Sequence, residues 1–270
     1  MAEPTADIAT FELLTAFRLP LIKSIIDYIK IDSGSRGLDA GCSIGAISEL
    51  LESATGQSGK LTAIDYENKY IEYAKRSHPG RAIQYLRGDI NELPFPPKSF
   101  DWIWSMDTCW IGDQHLGCPA ESPNELLKGL LSALKPGGKL HLTFWTSQQL
   151  LPGYPILEAR LNTATSAHAP FTKDMPPDDH VLLTSKWMAG AGFREIRSQT
   201  FTQTINGPLG NEGKQAINIL SGMMWHTAPD EGLQKEWGKL QQLMDDDSQL
   251  LHSPYYHGCF SYTLFTGKKA

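Results

Sequence analysis

No stretch of the 270-residue chain approaches the roughly 20 consecutive apolar residues that a membrane-spanning helix requires. The opening MAEPTADIAT also lacks the basic-then-apolar order of a secretory leader. A cytoplasmic protein without a membrane span is the expectation. The 24 lysines and arginines are outnumbered by 30 acids, giving a net charge of −6, and they form no cluster. Without a basic surface to neutralise phosphates, nucleic acid is not an expected partner. Cysteine is scarce, and Cys42, Cys109, Cys118 and Cys259 show none of the short paired spacings that hold zinc. Cys109 and Cys118 bracket His115, but a nine-residue gap in a loop is ordinary, so free thiols and no metal site are expected. No linker rich in Gly, Ser or Pro divides the chain into halves, and 41% apolar residues suffice for one large core.

What the chain does have is the run GLDAGCSIGAIS from Gly37, which reads as a buried strand, a glycine turn and a helix start. Leu38 and Ala40 flank Asp39 on the extended part. Gly41 and Gly45 let the backbone come close to a ligand, and Ile44 to Leu51 resumes apolar residues at helical spacing. Amides at a helix start have no partner inside the helix, so such a turn attracts a carboxylate or phosphate. Taken alone, the glycines are also explained, less well, by close packing of helix on strand. A second apolar strand, Leu61 to Ile64, ends in Asp65, about twenty residues beyond the turn, as a nucleoside site requires. An acid there accepts hydrogen bonds from ribose hydroxyls, or else caps a helix predicted over Glu67 to Ser77.

Three more strands follow. Ile83 to Leu86 ends in Gly88-Asp89-Ile90, Phe100 to Ser105 follows the turn Pro94 to Ser99, and Lys139 to Trp145 follows the break Lys135-Pro136-Gly137-Gly138. In this order the motifs resemble the class I S-adenosylmethionine-dependent methyltransferases, closest to the small-molecule branch that includes ubiquinone and menaquinone methyltransferases. The resemblance spans residues 36 to 146, with a weaker tail at Ala191-Gly192-Phe193 to Thr200 and at Phe260 to Gly267. It implies an α/β fold, a doubly wound Rossmann-like sheet of seven strands with the last antiparallel, and S-adenosyl-L-methionine as cofactor.

The family's acid-x-Gly-x-Gly-x-Gly pattern is matched at Asp39, Gly41 and Gly45 and departs at Ser43, where the middle glycine is usual. By the resemblance, this turn, Cys42 included, seats the methionine end of the cofactor. Asp65 holds the ribose, with Tyr66 beside the adenine. Asp89 holds the adenine amino group, between Gly88 and the backbone N–H of Ile90, and Ser105 completes the candidate set. Two other readings of the turn are weaker. It fits G-x-S-x-G, the nucleophile elbow of α/β hydrolases, but that elbow needs several strands upstream and only one precedes Ser43. A nicotinamide dinucleotide fold needs glycine where Ser43 and Ala46 stand.

Residues 1–35 are expected to form an N-terminal helical cover. Its apolar residues recur at helical intervals over Ile8 to Ile31, with a break at Pro20 and with Arg18 placed to be drawn inward. Residues 36–147 and 184–270 make the methyltransferase core. Residues 148–183 and 206–258 are insertions within the one domain, expected to form a lid with the substrate pocket. Helix-like stretches are Thr184 to Ala191 in the core, and Lys214 to Trp225 and Asp230 to Leu243 in the second insertion.

Methyl transfer needs chiefly an acceptor held in line and water excluded, so a base is optional. Asp107 and His115, both after the fourth strand, are the catalytic candidates. Trp104, Trp110 and Trp145 border the presumed cleft, and one of Trp102 and Trp104 must face the covering helices. The expected activity is methylation of a small, apolar or aromatic molecule by in-line displacement, in a monomer or homodimer. The other reading is a non-catalytic S-adenosylmethionine-binding protein with a regulatory or structural role.

Overall fold

The computed structural model describes residues 7–171, 174–245 and 249–270. Residues 1–6 of the expected N-terminal cover, and 172–173 and 246–248 of the two expected insertions, lie outside the described residues. The strands are β1 (Arg36–Ala40), β2 (Lys60–Asp65), β3 (Ile83–Arg87), β4 (Phe100–Met106), β5 (Leu134–Gln149), β6 (Arg194–Asn206) and β7 (His257–Lys268). They form one sheet in the order β3-β2-β1-β4-β5-β7-β6. β1 to β5 run parallel, and β7 lies antiparallel between β5 and β6. This is the doubly wound α/β sheet that the motif order implies.

Alternation along the strands sorts side chains between two layers. On one face Leu61, Trp102, Trp104, Tyr262 and Leu264 pack under α1 (Ile8–Ile29), α2 (Ala46–Ala54) and α7 (Asn211–Trp225). On the other, Leu38, Ile103, Leu140, Leu142 and Phe265 pack against α4 (Pro123–Ala133) and α6 (Thr184–Ala191). Trp102 and Trp104 are two residues apart, so both face the same covering layer rather than one of them, and both are buried. α3 (Asn68–Ser77) closes the β2–β3 end through Ile71, Ala74 and Tyr85. The two insertions meet each other: the Trp225 indole N–H donates to Asn162 Oδ1 at 2.9 Å. Arg160, on α5 (Pro155–Leu161), pairs with Glu236 on α8 (Gln234–Met244) at 2.5 Å. A last short helix, α9 (Gln249–His252), precedes β7.

α8 starts at Gln234 rather than Asp230 and α7 at Asn211 rather than Lys214, and two further features differ from those read in the sequence. The Lys135–Gly138 turn lies inside β5, which already pairs at Leu134 with Phe100; the register jumps between Phe100 and Trp102 to absorb the extra residues. α1 runs through Pro20 without a break. Proline removes a donor and crowds the preceding turn, yet here a side chain repairs the ladder. The Leu21 N–H donates to Gln203 Oε1 at 3.1 Å, and Gln203 Nε2 donates to the Phe17 carbonyl at 2.9 Å. One amide from β6 thus replaces the bond that Leu21 would make to Phe17. Gln203→Leu leaves both backbone groups unpaired and is expected to destabilise the protein by about 1–2 kcal/mol in urea unfolding; Gln203→Glu, which retains only the acceptor, falls between.

Candidate functional site

Neighbours of β1 run away from it in opposite sequence directions, so the carboxyl ends of β1, β2 and β4 open a crevice there. A cavity of about 240 Å³ occupies it. Its floor comes from Asp39, Gly41, Ser43 and Asp65, its far wall from Met106 and Asp107, and its ceiling from Phe11, Thr15 and Arg18 of α1.

The turn after β1 is tightly determined. Gly41 has φ +87°, and a Cβ there would stand 2.3 Å from Thr108 Oγ1. Ser43, at the position where the sequence departs from the glycine pattern, has φ +46°. The left-handed region that glycine enters freely is reached here by a serine at some strain. Its N–H donates to Asp65 Oδ2 at 2.8 Å, which holds the turn, and its hydroxyl is buried with no hydrogen-bond partner among the described residues. Gly45 is the N-cap of α2. Asp65 Oδ1 accepts the Glu67 N–H at 2.9 Å, so this carboxylate also fixes the start of α3. Burial holds the Asp65 carboxyl above its usual value despite these amides. Each of its oxygens has used one lone pair and keeps another.

Asp39 is 2% exposed, and Ser48 Oγ donates to its Oδ2 at 2.6 Å. Burial, reinforced by the charge of Asp65 and opposed by Ser48, pushes its pKa to about 7. A carboxyl whose folded pKa exceeds its unfolded one binds its proton more tightly when folded. Its stabilisation is therefore complete below pH ~4 and is lost as pH rises to about 7. The ligand-free protein is expected to be less stable at pH 8 than at pH 5, with roughly 3 kcal/mol of the difference traceable to this group. Asp39→Asn, which keeps an acceptor for Ser48, should remove that share of the slope in denaturant titrations at the two pH values.

At the far wall a charged cluster joins three elements. Asp107 Oδ1 accepts the Trp145 N–H at 2.9 Å, and its Oδ2 accepts the Tyr262 hydroxyl at 2.7 Å. Arg18 Nη1 lies 3.4 Å from the same oxygen and 2.8 Å from the Tyr262 hydroxyl, while its Nε donates to Leu14 O. Burial raises the Asp107 carboxyl above its ordinary value against the pull of Arg18, Tyr262 and the Trp145 amide. Aromatic rings continue from the cluster: Trp145 stacks on Phe260 at 4.8 Å and meets Tyr262 edge-on at 5.5 Å. Phe17 stacks on Phe260 at 5.5 Å. Tyr262 carries no sequence signal for this role, since it lies 155 residues from Asp107 on a strand that reads as ordinary alternation.

The remaining sequence candidates fall at graded distances from the cavity. Cys42 lines it, and burial holds its thiol well above the usual range. Ser105 lies beneath, its hydroxyl bonded to the Ala40 carbonyl at 2.7 Å, which ties β4 to β1. Gly88, Asp89 and Ile90 follow β3 outside the cavity lining. Asp89 Oδ1 accepts the backbone and side-chain N–H groups of Asn91 at 2.8 and 3.0 Å. Tyr66 is 64% exposed, with the Arg87 guanidinium 5.9 Å from its ring centre. His115 sits on an exposed turn with Asp113 at 3.8 Å, also outside the lining. Trp104 lines the cavity and is fully buried, and its indole N–H has no partner among the described residues.

Residues 38–142 match a protein family described as "Methyltransferase domain". The chain is similar to the demethylmenaquinone methyltransferase of Lactobacillus johnsonii, 26% identical over 206 residues covering 73% of this chain and 80% of that one. It is also similar to the demethylmenaquinone methyltransferase of Lysinibacillus sphaericus, 28% identical over 130 residues covering 47% of this chain. The chain spans about half the length of that second relative, 51%. Among solved structures, a SAM dependent methyltransferase from Aquifex aeolicus superimposes with a TM-score of 0.53 at 15% identity, covering 97% of each chain. At that identity the likeness speaks for the fold.

Proposed function

We propose, from the premise that the chain belongs to the class I S-adenosylmethionine-dependent methyltransferases, that it methylates a small apolar or aromatic molecule. The observation that carries this is the cavity linking the Gly41 turn to Asp65, with two buried polar groups on its lining, Ser43 Oγ and Trp104 Nε1, left unpartnered. Unpaired buried polar groups are costly, so a polar ligand at these atoms is favoured. S-adenosylmethionine fits this donor and acceptor set: it brings hydroxyls for the spare lone pairs of Asp65 and a carboxylate for the Trp104 N–H and Arg18. Its cationic end suits a hollow whose floor carries Asp39 and Asp65. When bound it supplies a methyl group already activated on a sulfonium sulfur.

The protein's own share is to hold, orient and exclude water. The adenine end would lie toward Tyr66, Gly88, Asp89 and Ile90. α1 covers the cavity, so Phe11 and Thr15 keep water from the reacting end. Asp107 is the candidate to take a proton from the acceptor, at Oδ1, which accepts only the Trp145 N–H, because burial makes its carboxylate more basic. His115 plays no part in this reading, being exposed on its turn. Phe17, Trp145, Phe260 and Tyr262 beside Asp107 suit a flat apolar acceptor, and relatives named for demethylmenaquinone support the same class.

Titration calorimetry with S-adenosylmethionine and S-adenosylhomocysteine, followed by transfer of a labelled methyl into a metabolite extract, tests both halves. Saturable binding with label in an extractable apolar product is expected. Binding without transfer would select the non-catalytic reading, and no binding would remove both. Asp65→Ala is expected to weaken cofactor binding by roughly 1.5–3 kcal/mol, through loss of a charged acceptor for the ribose. Unchanged affinity would take Asp65 out of the site.

A further inference from the structure

A second hollow, of about 270 Å³, lies on the α1 side of the sheet between Tyr28 and Ile29 at the carboxyl end of α1 and the β5–β7–β6 face. The register sets its chemistry. Lys139 on β5 stands directly opposite Lys268 on β7, and Thr266 is flanked by His141 on one side and Arg197 on the other. All five residues line the hollow. Like charges placed directly opposite across a sheet destabilise it, and here a third cation stands in the adjoining row.

The fold offsets one of the three. A bulge between Arg194 and Arg197 puts Glu195 at φ +50°, and its carboxylate accepts from Lys268 Nζ at 3.0 Å. The side chains of Lys139 and Arg197 form no ion pair or hydrogen bond among the described residues, although their backbones pair in the sheet. A surplus of two positive charges therefore lines a concave site on a protein whose net charge is −6. Protection of an exposed edge accounts at most for Arg197, since β6 is the edge strand; Lys139 and Lys268 belong to interior strands. His141 adds no charge, because burial lowers its pKa to about 3, and its Nδ1 is 2.9 Å from Thr266 Oγ1.

We propose that this hollow is a second binding site, for a small polyanion of the diphosphate or tricarboxylate type, gripped by Lys139, Arg197 and Lys268. A multiply charged anion bridges the opposed lysines and the guanidinium together, which turns the repulsion among them into attraction. The guanidinium fork meets two oxygens of such a group, and Gln199 and Thr266 offer neutral hydrogen bonds beside it. The site lies beyond the cofactor cavity and shares no lining residue with it.

Calorimetric titration with pyrophosphate and, separately, citrate, at an ionic strength fixed with chloride, tests the site on the whole protein. One saturable equivalent is expected for at least one of the two anions, and which one binds separates the phosphate from the carboxylate source. Lys139→Ala and Arg197→Ala should each weaken it at least tenfold, with Arg197→Lys in between. Saturating S-adenosylhomocysteine should leave it unchanged. No saturable heat with either anion, equal affinity in the double alanine variant, or competition by S-adenosylhomocysteine would each overturn the proposal. Thermal unfolding at low salt without anion supplies a second readout. The double variant should melt no lower than the parent, because a repulsion has been removed; a lower midpoint would mean that the cations serve the fold instead.

Discussion

Asp107→Ala is expected to destabilise the protein by roughly 3–5 kcal/mol and, on the proposed role of Asp107 as the base, to abolish methyl transfer. Three losses combine. Arg18 is left half-buried without its carboxylate, the Tyr262 hydroxyl and the Trp145 amide lose their acceptor, and alanine must adopt the φ of +47° that Asp107 holds. The last adds about 1 kcal/mol, since short polar side chains tolerate the left-handed region better than alanine does. Asp107→Asn separates the effects. It keeps the backbone preference and an acceptor oxygen, so it should recover about half of the lost stability while transfer stays absent. Urea unfolding of the two variants beside a labelled-methyl assay checks this. An alanine variant as stable as the parent would show that the cluster is solvated rather than structural.

Gly41→Ala carries the second large effect, this time on binding. The added methyl group meets the Thr108 side chain at 2.3–2.4 Å, and the residue must hold φ +87°. The turn has to shift, and its neighbours Asp39, Ser43 and Asp65 shift with it. Cofactor affinity is expected to fall at least a hundredfold, about 3 kcal/mol. Gly117→Ala provides the comparison, because φ is +83° there but no atom lies within 4 Å of the added carbon. It should show a backbone penalty of about 1 kcal/mol in unfolding and no change in affinity. Equal affinity losses in the two variants would mean that strain alone, and not the shape of the turn, governs the site.

The sheet was legible because its evidence is local. β1, β2 and β4 are short apolar runs ended by a polar or glycine turn, and α6 falls on the residues that its spacing marks, Thr184 to Ala191. The β1 turn was legible for the same reason, down to the departure at Ser43, whose positive φ accounts for the glycine usual at that place. Asp65 was readable as a ribose acid or a helix cap, and its two oxygens accept from both the turn and the α3 start. What the sequence hides is what distant segments do to one another. Pro20 reads as a break, and only contact with β6 supplies the Gln203 amide that carries the helix past it. The Arg18–Asp107–Tyr262 cluster joins α1, the end of β4 and β7, so no spacing rule could assemble it. The opposed lysines of β5 and β7 likewise meet only through register.

The amide of Gln203 has a consequence for how the cofactor cavity is roofed. It stands in for the bond from Leu21 to Phe17, so β6 fastens the helix just past the stretch bearing Phe11, Thr15 and Arg18. The roof over the crevice is thus tied to the rim of the sheet as well as to the strands beneath it. Gln203 lies outside the lining of that chamber, so its replacement loosens the anchoring of the covering helix without removing any group from the chamber itself.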